Sequence, residues 1–314
     1  MKNLKILRAK ALRMTKLKFK NKGKNMANKT KIGLVMEGGS MRGMFTAGVT
    51  DVMMENGIEY DGAIGVSAGA TFGCNYKSKQ IGRALRYNVR FCKDKRYCSY
   101  RNLLKEGNLF SNEFCYKKLP NELDVFDTKT FSENPMEFYI VATDIEKGCE
   151  VYYRLDKGDA EDIELIRASA SMPIVSKIVE VDGTKLLDGG ITDSIPLKGF
   201  EKLGYSKNVV ILTQPLGFVK EKNKHMKLIK FKYRKYPNLV GAMADRHVKY
   251  NAETLYVSRQ EAAGNAFVIR PPEALNISGI IRDPEELKRV YNIGRKVMTE
   301  RLDELKEFLN KWRA

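Results

Sequence analysis

The chain has 314 residues, 43% hydrophobic and 30% charged, which excludes a disordered or fibrous chain and suffices for one large α/β domain. Lys and Arg number 56 against 38 Asp and Glu, yet twelve of those basic residues lie in residues 1–31, which hold no acidic residue. The body after residue 31 is therefore only mildly basic. Five cysteines, Cys74, Cys92, Cys98, Cys115 and Cys149, form no CxxC pair and cannot all pair with one another, which argues against a secreted disulfide framework and a zinc site. No apolar run approaches a membrane span of about eighteen residues, and no apolar h-region follows the basic N-terminus. The expectation is a cytoplasmic protein, at most peripheral at a membrane.

In chain order, Leu4, Leu7, Ala11 and Met14 have helical spacing, but basic residues fall on all sides of that stretch. Residues 1–30 read better as a disordered basic extension, with Met26 as an alternative start, than as a membrane-binding helix. From Lys31 a strand over Ile32–Met36 runs into glycines, a helix over Gly43–Asn56 stops at Gly57, and a second strand covers Tyr60–Val66. Strands are predicted over Glu137–Thr143 and Cys149–Leu155, and a helix over Ala160–Ser171. A hairpin over Lys177–Leu187 turns at Asp182-Gly183, and strands follow at Val209–Thr213 and Phe267–Ile269. Pro237–Ala263 is mainly helical, and Asp283-Pro284-Glu285-Glu286 caps one long final helix. The alternation predicts an α/β fold of three layers, with a mainly parallel central sheet flanked by helices. Residues 31–314 are taken as one domain, with 200–314 as its C-terminal extension.

Gly65-Val66-Ser67-Ala68-Gly69 is a G-x-S-x-G sequence where a strand meets a helix start. Its glycines permit a tight turn that exposes Ser67 beside helix N–H groups, the setting of a nucleophile. Gly38-Gly39-Ser40-Met41-Arg42-Gly43 lets backbone N–H groups converge on an anion, as an acyl-transfer enzyme requires. A right-handed βαβ unit brings both loops to one sheet edge. Asp188-Gly189-Gly190 closes an apolar run and supplies a candidate general base, with Asp193 as the next candidate.

Histidines are scarce. The order Ser67, Asp188, His247 keeps a triad open, but His247 falls inside a helical pattern and His225 inside a lysine run. Without a histidine, Asp188 must take the serine proton itself.

These three motifs, in this order, resemble the patatin-like phospholipase family over about residues 31–200. The resemblance implies a Ser67 nucleophile, an Asp188 base and an oxyanion hole built from Gly38, Gly39, Ser40, Arg42 and Gly43, with Gly65 and Gly69 shaping the elbow. It implies hydrolysis of a lipid carboxylic ester, a phospholipid or lysophospholipid, with no metal or organic cofactor. One departure is Ser40, which stands where the family pattern has a third glycine. Arg42 is assigned to the oxyanion loop or a lipid phosphate, or else to a structural ion pair.

Residues 220–235 interleave basic side chains with Met226, Leu228, Ile229, Phe231 and Tyr233. That pattern suits an anionic lipid surface better than nucleic acid, with a solvated loop as the plain alternative. The competing reading for the whole chain is a basic lipid- or nucleic-acid-binding protein that keeps a hydrolase fold without relevant turnover.

Overall fold

Ile32–Met36 is apolar apart from Gly33, and all five residues are buried, so it forms a strand, β1, covered on both faces. Its alternation sends Leu34 and Met36 into one apolar layer and Val35 into the other. The computed structural model describes residues 30–313, in which eight strands form a single sheet. The N-terminal extension of the sequence reading lies outside the described residues, apart from its last residue.

After β1 come α1 (Gly43–Glu55), β2 (Gly62–Val66) and α2 (Ala68–Lys77). The predicted second strand starts two residues late, at Gly62. Residues 78–136, where no element was expected, fold into α3 (Arg83–Phe91), α4 (Tyr100–Glu106), a π-helical stretch Phe114–Leu123 and α5 (Thr128–Glu133). Next are β3 (Glu137–Asp144), β4 (Cys149–Leu155), α6 (Ala160–Ser169) and the hairpin of β5 (Val179–Val181) and β6 (Thr184–Asp188). Asp182 and Gly183, both at positive φ, make its two-residue turn as expected.

The chain continues through α7 (Leu197–Lys202), β7 (Lys207–Ile211), α8 (Met226–Lys232), α9 (Pro237–Ala262) and β8 (Ala266–Ile269). The single final helix of the sequence reading is two, α10 (Pro284–Glu300) and α11 (Leu302–Arg313), broken at Arg301. Strands β3, β2, β1, β7 and β8 are parallel in that spatial order. One apolar layer packs α1, α2, α10 and α11 on the sheet, and the other packs α7 and α9. The expected three-layer α/β fold is therefore present. All five cysteines are free, and no helix among the described residues is long and apolar enough to cross a membrane.

One register relationship positions the site. Strand β4 pairs with β3 over residues 138–144, so β2 and β6 share the opposite side of β3. Val66 at the end of β2 faces Val141, and Asp188 at the end of β6 faces Ala142. Two strands running in opposite directions thus meet end to end, and the residue after Val66 is Ser67.

Candidate active site

Ser67 joins β2 to α2 with φ 54° and ψ −117°, a backbone conformation a serine rarely adopts. The turn is compressed by its surroundings. A Cβ on Gly65 would lie 2.3 Å from the Gly69 carbonyl oxygen, and one on Gly69 would lie 2.4 Å from that of Met36, so both positions require glycine. The Ser67 N–H donates to Ser169 Oγ at 3.0 Å, and that hydroxyl donates to the Val141 carbonyl at 2.6 Å. Ser169, at the end of α6, thereby ties the elbow to β3.

The Ser67 hydroxyl donates to Asp188 Oδ2 at 2.7 Å, and the Gly190 N–H donates to Asp188 Oδ1 at 2.8 Å. The carboxylate is also fixed from behind, because the Asp188 N–H donates to the Ser171 carbonyl and Thr143 Oγ1 donates to the Asp188 carbonyl. Burial raises the Asp188 pKa above its ordinary value, against the opposing effects of the Ser67 hydroxyl, the Arg246 charge and the Gly190 N–H. Asp188 is therefore a stronger base than an exposed carboxylate, and it already holds the proton donor it would act on.

Neither histidine nor Asp193 is hydrogen-bonded to this pair among the described residues. His247 lies in α9 with Nδ1 at 3.1 Å from the Ala244 carbonyl, and His225 is an exposed residue at the start of α8. Asp193 Oδ2 accepts the Tyr152 hydroxyl at 2.6 Å. Among the described residues, Asp188 and no histidine is hydrogen-bonded to the Ser67 hydroxyl.

In the glycine loop, the Gly38 N–H donates to the Ser194 carbonyl at 3.3 Å, and the Gly43 N–H turns back onto Met41 and Ser40 carbonyls. Among the described residues, the N–H groups of Gly39 and Ser40 have no acceptor. Ser40 takes φ 50°, the region its family counterpart glycine favours, and its hydroxyl donates to the Gly279 carbonyl at 2.7 Å. That bond ties the loop to the segment before α10, a contact a glycine could not make. Arg42 makes no ion pair among the described residues; its Nε reaches Thr213 Oγ1 at 3.4 Å.

Ser67 borders two cavities. One is lined mainly by apolar side chains, among them Phe72, Tyr87, Phe110, Leu119 and Ile166. The other is lined by Arg42, Asp188, Lys220, His225, Arg246 and Tyr250 among others. Ser169, Lys220 and Arg246 were not singled out from the sequence. Ser169 sits in a small-residue run before Pro173, Arg246 is one charge on a long helix, and Lys220 opens a lysine run that looks solvated.

The profile of the Patatin-like phospholipase family matches residues 34–200, which span β1 to α7 and all three motifs. The chain belongs to the patatin-like phospholipase family. Its members are lipid acyl hydrolases, and this patatin-like chain carries a second match over residues 236–310, to a domain of unknown function (DUF6363). The uncharacterized protein YjjU of Escherichia coli is 27% identical over 271 residues, covering 84% of this chain and 75% of that protein. The uncharacterized NTE family protein Rv1063c of Mycobacterium tuberculosis is 27% identical over 168 residues, 53% of this chain and 44% of its own length. The crystal structure of VipD from Legionella pneumophila aligns with a TM-score of 0.43 at 14% identity, covering 94% of this chain and 73% of that one.

Proposed function

We propose that the protein is a serine acyl hydrolase that cleaves carboxylic esters of phospholipids or lysophospholipids through a Ser67–Asp188 dyad. The observation that carries this reading is the 2.7 Å hydrogen bond from a strained elbow serine to a buried aspartate, with no histidine between them.

In this scheme Ser67 Oγ attacks the ester carbonyl carbon while its proton passes to Asp188 Oδ2. The carbonyl oxygen, now negative, is received by the N–H groups of Gly39 and Ser40. Collapse of the tetrahedral intermediate breaks the bond to the alcohol oxygen, which takes the proton back from Asp188. Asp188 then removes a proton from water, whose oxygen attacks the Ser67 ester; the acyl–Oγ bond breaks as Ser67 Oγ takes that proton back from Asp188, which releases the fatty acid and restores the starting pair. The apolar cavity receives the acyl chain and the polar one receives the alcohol portion. No step calls on a cofactor.

The substrate is lipid, so the reading includes contact with an anionic membrane face through α8 on the cytoplasmic side. Phe231 is 71% and Leu228 49% exposed there, beside exposed Lys227 and Lys230, while Ile229 is buried and anchors the helix. The test is a panel of phospholipids, lysophospholipids, triacylglycerols and p-nitrophenyl esters, presented to the wild type and to Ser67→Ala. Ser67-dependent fatty-acid release from phospholipid or lysophospholipid is the expected result. Absence of release from every ester, at concentrations that saturate binding, would favour a binding protein without turnover.

A further inference from the structure

We propose that Lys220 and Arg246, together with Arg42, form a phosphate-binding subsite that selects lipids whose head group carries net negative charge. The inference deepens the hydrolase reading and rests on it. The three cations come from separate parts of the fold, namely the glycine loop itself, the coil after β7, and α9, and they line the polar cavity that opens on Ser67.

None of the three has a carboxylate within ion-pairing distance among the described residues. Arg246 Nε donates to the Gly190 carbonyl at 2.5 Å, which orients its guanidinium and leaves its terminal nitrogens to an anion. Lys220 Nζ sits 4.3 Å from the centre of the Tyr250 ring. Burial, with the Arg246 and Arg42 charges, lowers the Lys220 pKa to about 8. Cations crowded in this way repel one another, and a bound phosphate relieves the repulsion.

The acids that face Lys220 do not supply that neutralisation. Glu37 is fully buried and is held by the Tyr250 hydroxyl at 2.7 Å and the Thr213 N–H at 2.5 Å. Glu253 accepts the N–H groups of Ser194 and Ile195. Burial raises the pKa of both, against the opposing effect of the Arg42 and Lys220 charges on Glu37. A choline or ethanolamine group finds little here: Asp188 is bound to Ser67, and the Tyr250 face is occupied by the Lys220 ammonium. A phosphatidylglycerol-type or phosphatidate-type head group fits; a zwitterion does not.

The test uses dihexanoyl phosphatidylglycerol and dihexanoyl phosphatidylcholine below their micelle-forming concentrations, so that surface binding plays no part. The wild type should prefer phosphatidylglycerol by about tenfold or more in kcat/KM, mainly through KM. Lys220→Gln and Arg246→Gln should bring that ratio toward one, and Lys220→Arg should restore it. Separately, sn-glycerol 3-phosphate titrated into Ser67→Ala should bind more weakly as pH rises through about 8, where Lys220 loses its proton. That dependence should vanish in Ser67→Ala carrying Lys220→Gln. Ester turnover with equal rates on the two lipids, unchanged in Lys220→Gln, would overturn the subsite. Lys220-dependent glycerol 3-phosphate binding without turnover of any ester would instead overturn the hydrolase reading and leave the subsite standing.

Discussion

The Ser67 hydroxyl and the Asp188 carboxylate are 2.7 Å apart although 121 residues separate them in the chain. They meet because β2 and β6 run toward each other along one side of β3, with Val66 opposite Val141 and Asp188 opposite Ala142. If this pair is the catalytic unit, Ser67→Ala and Asp188→Asn should each lower p-nitrophenyl butyrate turnover by about 10³-fold or more, because members of such a unit fail together. His247→Ala should retain most activity, since its ring is engaged with its own helix. Steady-state kinetics on the three purified variants checks this.

The raised pKa of Asp188 has opposite effects on activity and stability. As a base it works only when ionised, so kcat/KM should rise with pH through a midpoint above the ordinary carboxylate value near 4. The folded carboxyl holds its proton more strongly than the unfolded chain does, so this group makes stability fall as pH rises from 3.8 through its folded value. Asp188→Asn should therefore melt no lower than the wild type at pH 8. Circular-dichroism melts of both proteins, beside the wild-type pH–rate profile, give the measurement.

Ser169 bears on the elbow through the backbone of Ser67. Its hydroxyl accepts the Ser67 N–H and donates to Val141, so Ser169→Ala leaves a buried N–H without a partner, at a cost of about 1–3 kcal/mol. Loosening of the elbow should appear as a roughly 10- to 100-fold fall in kcat with little change in KM. A fall in melting temperature with kcat intact would assign Ser169 to stability alone.

Legibility from the sequence followed the range of the interactions. The βαβ opening, the elbow and the glycine loop are local, and their spacing exposes them: Gly65 and Gly69 are required by contacts with Gly69 and Met36 carbonyls within the same unit. Asp188 stood out through the two glycines behind it, but its register against β3 depends on β4 filling the other side, which no local pattern encodes. Residues 78–136 hid their elements because they are short, seven residues in α4 and six in α5, and because Pro120, which reads as a breaker, lies inside the π-helical stretch. The final helix looked continuous because nothing in the sequence announces the break at Arg301, whose guanidinium reaches the Val268 carbonyl of β8. Lys220 and Arg246 became visible only when the coil after β7 and α9 closed over the glycine loop.

Surface binding should depend on α8 in a way separable from the cleft. Lys227→Gln with Lys230→Gln should weaken binding to anionic vesicles by roughly thirtyfold at low salt, taking about 1 kcal/mol per lysine, and the difference should shrink as salt rises. Lys232 is excluded from this test because its ammonium donates to the Ile174 carbonyl at 2.9 Å and so shapes the cleft wall, where Ile174 has φ 74°. Vesicle flotation at two salt concentrations reads the effect, and binding indifferent to both changes would remove α8 from the membrane contact.

The most direct test of the account is the site and dependence of covalent labelling by a fluorophosphonate ester, followed by peptide mass spectrometry. The account predicts one adduct, on Ser67, absent in Ser67→Ala, formed at least about 10³-fold more slowly in Asp188→Asn and at the wild-type rate in His247→Ala. Labelling of another residue, a wild-type labelling rate in Asp188→Asn, or loss of labelling in His247→Ala would contradict the Ser67–Asp188 dyad.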